Sequence, residues 1–187
     1  MSTTASRAET TATERRELGQ RLLDVMAHGA RADFDEVFHP DAVNREAHAE
    51  PPATRGRGPE AFWATALWLR QAYSDLAFDV EVAVLQSDLL VTHGTMSGRH
   101  TGEFSVWDAA GGVERVFAPT GRTFCVHHAH FMRLQDGLVI EHWAVRDDNA
   151  QALQLGWIPP SLPFLVRCAL ATRRARRAQG KVQALAM

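Results

Sequence analysis

Three histidines could exchange protons from a single surface. His128 and His130 stand two apart in a segment that alternates like a β-strand, and His142 lies in the next such segment. Val126, His128, His130 and Met132 share one face of the first strand; Cys125, His127, Ala129, Phe131 and Arg133 take the other. Imidazole gains and loses a proton near neutral pH, so histidines on an apolar sheet face suit acid/base work on a bound ligand. Fixed hydrogen bonding within the core is the rival reading. Metal ligation is a third, but no Cys-x-x-Cys or His-x-x-x-His spacing supports it. Neither a metal nor another cofactor is expected.

The turn between the two strands decides the geometry. Gln135-Asp136-Gly137 suits a three-residue loop, a type I turn followed by a glycine bulge. Leu134 would then pair with Leu138, His130 would face His142 and His128 would face Ala144. A two-residue loop would set His130 against Trp143 instead, and a one-residue slip turns every side chain to the other face. Arg133 and Glu141 fall on the outer face as a surface ion pair. Asp147 and Asp148 follow the last strand. One of them would cap the next helix, and catalysis is the competing role.

The elements that must hold these residues are legible. The chain has 187 residues and a soluble, globular composition with 45% apolar residues, the size of one domain. Residues 1–12 read as a disordered leader and 13–158 as the main domain. Residues 159–187 form a basic helical extension, with a helix over Phe164 to Gln179. After residue 160 there are six bases and no acid, leaving fourteen bases against twenty-two acids before it. That balance argues against a nucleic-acid-binding main domain. Lys181 is the only lysine and sits in a polar tail where nothing would depress its pKa, so Schiff-base chemistry is not expected, and Tyr73 is the only tyrosine. No secretory signal precedes the first helix and no apolar run is long enough to span a membrane, so a cytoplasmic protein without stable membrane insertion is expected.

Leu18, Leu22, Val25 and Met26 form one helical stripe with Thr13 as cap and Gly29 as stop. Asp33 to Phe38 reads as further helical turns, and Ala42 to Glu46 as a short strand. Pro59 opens a helix that carries Phe62, Trp63 and Tyr73. Phe78, Val80, Val82 and Val84 alternate as a half-buried strand, and Leu89 to Glu103 is its partner. Val106 to Arg122 is an excursion around Gly111-Gly112. Its four large apolar residues, Trp107, Val113, Val116 and Phe117, suit a lid or an extra hairpin that covers the pocket or a neighbouring subunit, with a rigid hairpin extending the sheet for oligomer contacts as the rival. Asp148 to Leu155 is a short helix stopped by Gly156. Helices first and strands later give an α+β domain.

Four segments, F-H-P-D-A-V-N at 38–44, R-G-P-E-A-F at 57–62, S-G-R-H-T-G-E-F at 97–104 and P-T-G-R at 119–122, lead into H-F-M-R-L-Q-D-G-L-V-I-E-H-W-A-V-R-D-D at 130–148. In that order they resemble the SnoaL-like polyketide cyclase (ester cyclase) family of the NTF2-like superfamily. The resemblance implies a cone of helices packed in the mouth of a strongly curved antiparallel sheet around an apolar pocket. It also implies a homodimer or higher homo-oligomer built on the outer face of the sheet. Cyclases of that family close a polyketide ring by intramolecular aldol condensation without metal or cofactor, using an aspartate beside a histidine. Their histidines carry over to His130 and His142. Their aspartate falls on Ala144, which leaves Asp147 or a histidine to move the proton.

The catalytic set expected is His130, His142 and Asp147, with one histidine neutral and one protonated. His128, Met132, His100, Asn44, Trp63 and Phe62 are expected to contact a hydrophobic small-molecule substrate. A non-catalytic binding protein and a SnoaL-like hydroxylase are the alternatives.

Overall fold

The computed structural model describes residues 11–185. The expected leader therefore lies almost wholly outside the described residues. Helix α1 (Ala12–His28) starts one turn-corner earlier than expected: Thr11, not Thr13, is its cap, in a reciprocal box with Glu14. Gly29 ends it as read. Its last carbonyls are then covered from α3 (Gly58–Ala72), where the Arg70 guanidinium donates to Val25, Met26 and Gly29 oxygens at 2.6–2.9 Å. A cation against a helix C-terminus is favourable on charge as well as hydrogen bonding, and it locks the two helices together.

Between them, α2 is only Arg31–Asp35. Phe38 is not helical. It opens β1 (Phe38–Asn44), longer than the strand expected, which runs parallel to β7 (Leu138–Arg146). The main sheet has the order β1-β7-β6-β3-β2 and is mixed rather than wholly antiparallel. Tyr73 likewise leaves the helix and begins β2 (Tyr73–Gln86), because α3 ends at Ala72. Strand β2 pairs with β3 (Leu89–His100), and β3 with β6 (Thr123–Gln135).

Bulges decide which side chains face inward. In β2 the pairing passes from Val80–Gly94 to Val82–His93, so Glu81 is an extra residue. The alternation read from sequence therefore breaks: Phe78 and Val80 are buried, but Val82 and Val84 are more than half exposed, and Ala83 and Leu85 turn toward the core instead. Gly94 is required here, since a Cβ would sit 1.8 Å from the Asp79 carbonyl oxygen.

The β6–β7 turn also differs from expectation. Asp136 and Gly137 both have positive φ, +53° and +84°, forming a two-residue turn with Gln135 paired to Leu138. Ile140 then bulges, because Leu134 pairs with Val139 but Arg133 with Glu141. Turn and bulge together displace the register by two residues from the one expected. His130 opposes Ala144, Met132 opposes His142, and His128 opposes Arg146. An even displacement preserves the faces, so all three histidines remain on the inner side.

The core lies between this inner face and helices α1 to α3, with Phe34, Phe62 and Leu90 fully buried. The excursion after β3 does not extend the main sheet, and Phe104 and Val106 at its start line one of the cavities. It is a separate hairpin of β4 (Phe104–Trp107) and β5 (Val113–Phe117). Helix α5 (Leu162–Leu185) packs on it. Val113 and Val116 bury against Ala171. Thr172 Oγ1 and Gln179 Oε1 accept the Val116 and Val113 N–H groups, so α5 side chains satisfy the free edge of β5. Helix α4 (Asp148–Leu155) ends at Gly156 as read. Among the described residues no helix is long and apolar enough to cross a membrane.

Candidate active site

Strands β6 and β7 deliver His128, His130, Met132 and His142 to one cavity, closed by Asn44 from β1 and Phe62 from α3. Leu22, Leu23 and Met26 of α1 line its wall. This inner chamber holds about 80 Å³, and a second of about 310 Å³ adjoins it, sharing Glu46, Glu50, Trp68, Leu69 and Arg146 with it. Six of the nine residues expected at the site therefore meet. The other three do not. Asp147 is exposed and caps α4, its Oδ1 accepting the Ala150 N–H at 2.9 Å. His100 is fully buried under Trp157, away from the cavity wall. Trp63 packs edge-on against Phe34 and under the Arg70 guanidinium.

The hydrogen bonds fix the tautomers. Asn44 Oδ1 accepts the Glu46 N–H at 3.1 Å, which sets the amide so that its oxygen also faces His142 Nδ1 at 3.1 Å. His142 Nδ1 must therefore donate. In a neutral ring Nε2 is then an acceptor, and it lies 3.0 Å from His130 Nδ1, which donates to it. The remaining nitrogen, His130 Nε2, carries a bare lone pair and is buried without a partner. Both ring nitrogens of His128 are also buried and unpartnered. Buried polar atoms without partners are rare in folded proteins, and three in one cavity mark a place where a polar ligand group would bond.

Charge refines this picture and corrects one expectation. Burial holds His142 down at about 4, aided by the Arg146 charge, and holds His128 down at about 4. His130 lies well below the ordinary range through burial and its histidine neighbours. All three are neutral at pH 7, so no imidazolium is available as the acid. The sequence reading missed the group that can be. Glu50, in the turn after β1, is only 4% exposed, and burial raises its pKa even though Thr65 Oγ1 donates to it at 2.7 Å. Its only sequence signal is the Glu-Pro-Pro corner, which reads as loop. Glu46, beside it, is ion-paired with Arg146 at 3.8 Å, and its Oε1 lies 3.5 Å from the Ala144 nitrogen. Carboxylates thus reach the cavity from the segment after β1 rather than from β7. On the outer face Arg133 and Glu141 pair at 3.5 Å as expected, and Arg45 joins them.

A family model described as SnoaL-like polyketide cyclase matches residues 16–155. Nogalonic acid methyl ester cyclase of Streptomyces nogalater is 31% identical over 133 residues, covering 68% of this chain and 87% of the relative. Aklanonic acid methyl ester cyclase DnrD of Streptomyces peucetius is 29% identical over 147 residues, 77% and 93% of the two chains. Among solved structures, TsrD from Streptomyces laurentii superposes with a TM-score of 0.62 at 24% identity, covering 79% of this chain and 98% of that one. The fold is shared, the matched segment spans the whole histidine-lined cavity, and the chain belongs to the SnoaL-like polyketide cyclase family.

Proposed function

We propose that the chain closes a ring in a hydrophobic polyketide methyl ester by intramolecular aldol addition, with His130 as base and Glu50 as acid. The observation that carries the reading is the oriented chain Asn44–His142–His130, which leaves His130 Nε2 unprotonated in an apolar cavity. The carbon between two carbonyls of such a substrate bears an acidic hydrogen. His130 Nε2 removes that proton, and the negative charge growing on the enolate raises the basicity of the ring as it does so. The enolate carbon bonds to a ketone carbon of the same molecule. Its carbonyl electron pair moves onto oxygen, which takes a proton from the neutral Glu50 carboxyl. Solvent exchange returns one proton to Glu50 and removes one from His130, so the reaction is a net isomerisation. Throughout, His130 Nδ1–H stays bonded to His142, which holds the ring in place.

In this reading such a molecule occupies the two chambers in two parts. The inner one takes the reacting dicarbonyl end. The outer one, within the size range of small-molecule sites, takes the rest, against Trp68, Phe104 and Trp157.

The test is turnover of nogalonic and aklanonic acid methyl esters, followed chromatographically at constant mass. It is paired with deuterium uptake at the acidic carbon in heavy water. His130→Gln is expected to abolish both while ligand binding persists. Saturable binding of both esters by the wild-type chain without exchange or ring closure would overturn the reading in favour of a binding protein.

A further inference from the structure

On the opposite, outer face of the sheet, Glu81, His93 and His127 stand together on β2, β3 and β6. One ligand atom from each lies within 4.8 Å of the other two. His93 Nδ1 is 3.6 Å from Glu81 Oε2, and the His93 and His127 rings are stacked at 5.3 Å with 10° between their planes. We propose that these three side chains bind one divalent transition-metal ion, zinc in the first instance, as a site separate from the cavity.

Two imidazoles and a carboxylate are a recurrent zinc ligand set, leaving a fourth position to water or another ligand. A tetrahedral ion with bonds of about 2.0–2.1 Å needs donors about 3.3 Å apart. Closing from 4.8 Å asks only for side-chain rotation, and all three residues are exposed in the single chain. Their backbones are not free. They sit on three adjacent strands of one sheet, so much of the ordering cost of the site is already met by the sheet. The bulge in β2 makes the third ligand possible: as the extra residue between two paired positions, Glu81 is brought to the face of His93. The acidic balance of residues 1–160 adds a field that favours a cation. No linear motif announces such a site, because the ligands are 12 and 34 residues apart.

The experiment uses the full chain without a polyhistidine tag, titrated with zinc chloride by calorimetry, and with cobalt(II) for its visible absorption. Expected are one zinc per chain, at least tenfold weaker binding for His93→Gln and for His127→Gln, and a smaller loss for Glu81→Gln. Cys125 is exposed on the same face of β6, so Cys125→Ser is the control and is expected to bind normally. Absence of saturable binding below 100-fold excess zinc overturns the proposal, as does unchanged binding in both histidine variants or loss of binding in Cys125→Ser. Because the residues are exposed, the variants keep the wild-type circular dichroism spectrum. Cyclase turnover is untouched by them, which separates this proposal from the one for the cavity.

Discussion

Replacing Asn44 by aspartate tests the orientation of the whole histidine chain. The carboxylate accepts the same two donors, Glu46 N–H and His142 Nδ1–H, and adds a full charge where the amide oxygen lies 3.1 Å from the ring. Two opposite charges about 4 Å apart interact by about 4 kcal/mol at an effective dielectric of about 20, and 1.36 kcal/mol is about one pK unit. His142, held at about 4 in the native chain, is therefore lifted by up to about three units, to near neutrality. Once protonated, His142 presents an Nε2–H to His130, whose Nδ1 must turn acceptor, and the His130 proton moves to Nε2. The base in the cavity is then lost. Turnover by Asn44→Asp should have its acid limb raised by up to about three pH units and recover at higher pH, while the wild-type rate stays level through neutrality. Long-range nitrogen–proton NMR of the imidazoles reads tautomers and midpoints directly. A native His130 carrying its proton on Nε2, or an Asn44→Asp protein in which His142 still titrates near 4, would refute the reasoning.

Glu50→Gln removes the acid while keeping the acceptor for Thr65, so kcat should fall by roughly 10²–10⁴ with KM within a few-fold; an equal loss in Thr65→Val would mark Glu50 as structural only. Stability should fall in acid. His128 and His142 are held at about 4 when folded, below the ordinary 6.5, so the unfolded chain binds more protons between those values. Their contribution is complete above pH 6.5 and is lost as pH falls toward 4, by roughly 3 kcal/mol per histidine. Melting temperature against pH checks this, and His128→Gln should flatten the slope. The outer face should mediate self-association, because Phe131 stacks on Trp143 at 5.2 Å beside a 65% exposed Val145. Sedimentation at micromolar concentration should give a dimer or larger species for the native chain and a monomer for Val145→Glu.

Strand alternation placed His128 and His130 on one face because the side-chain period of a strand is two; His142 shares that face because the two-residue turn and the Ile140 bulge together displace the register by an even number of residues. The turn length was not legible. Asp136-Gly137 serves as well in a two-residue turn as at the end of a three-residue one. The Ile140 bulge leaves no mark in its composition. The Glu81 bulge is equally silent, and it is why Val82 and Val84, which read as core, face outward. Glu50 escaped because a glutamate in a proline-rich turn reads as solvated. Only the closure of α3 over that turn, through Thr65, buries it. The β4–β5 hairpin and α5 were each readable as an element, but not as partners. The apolar side chains of the excursion are answered by Phe164, Cys168 and Ala171, more than forty residues away.

The position of the acid follows from the same geometry. Strand β7 turns Ala144 inward opposite His130, so a carboxylate at 144 would project from the strand itself. With only a methyl group there, the space is open to the segment after β1, whose parallel pairing to β7 sets Asn44 beside His142 and carries Glu46 to the Ala144 nitrogen. Glu46 spends its charge on Arg146. Glu50, four residues on, is buried against Thr65 and Thr54, and that burial raises its pKa. Two carboxylates in one turn thus meet different surroundings, one set beside the Arg146 guanidinium, the other desolvated with its pKa raised. Under the proposed function, that difference, set beside a histidine whose lone pair is left free by its own hydrogen bonds, would supply an acid and a base without a carboxylate on β7.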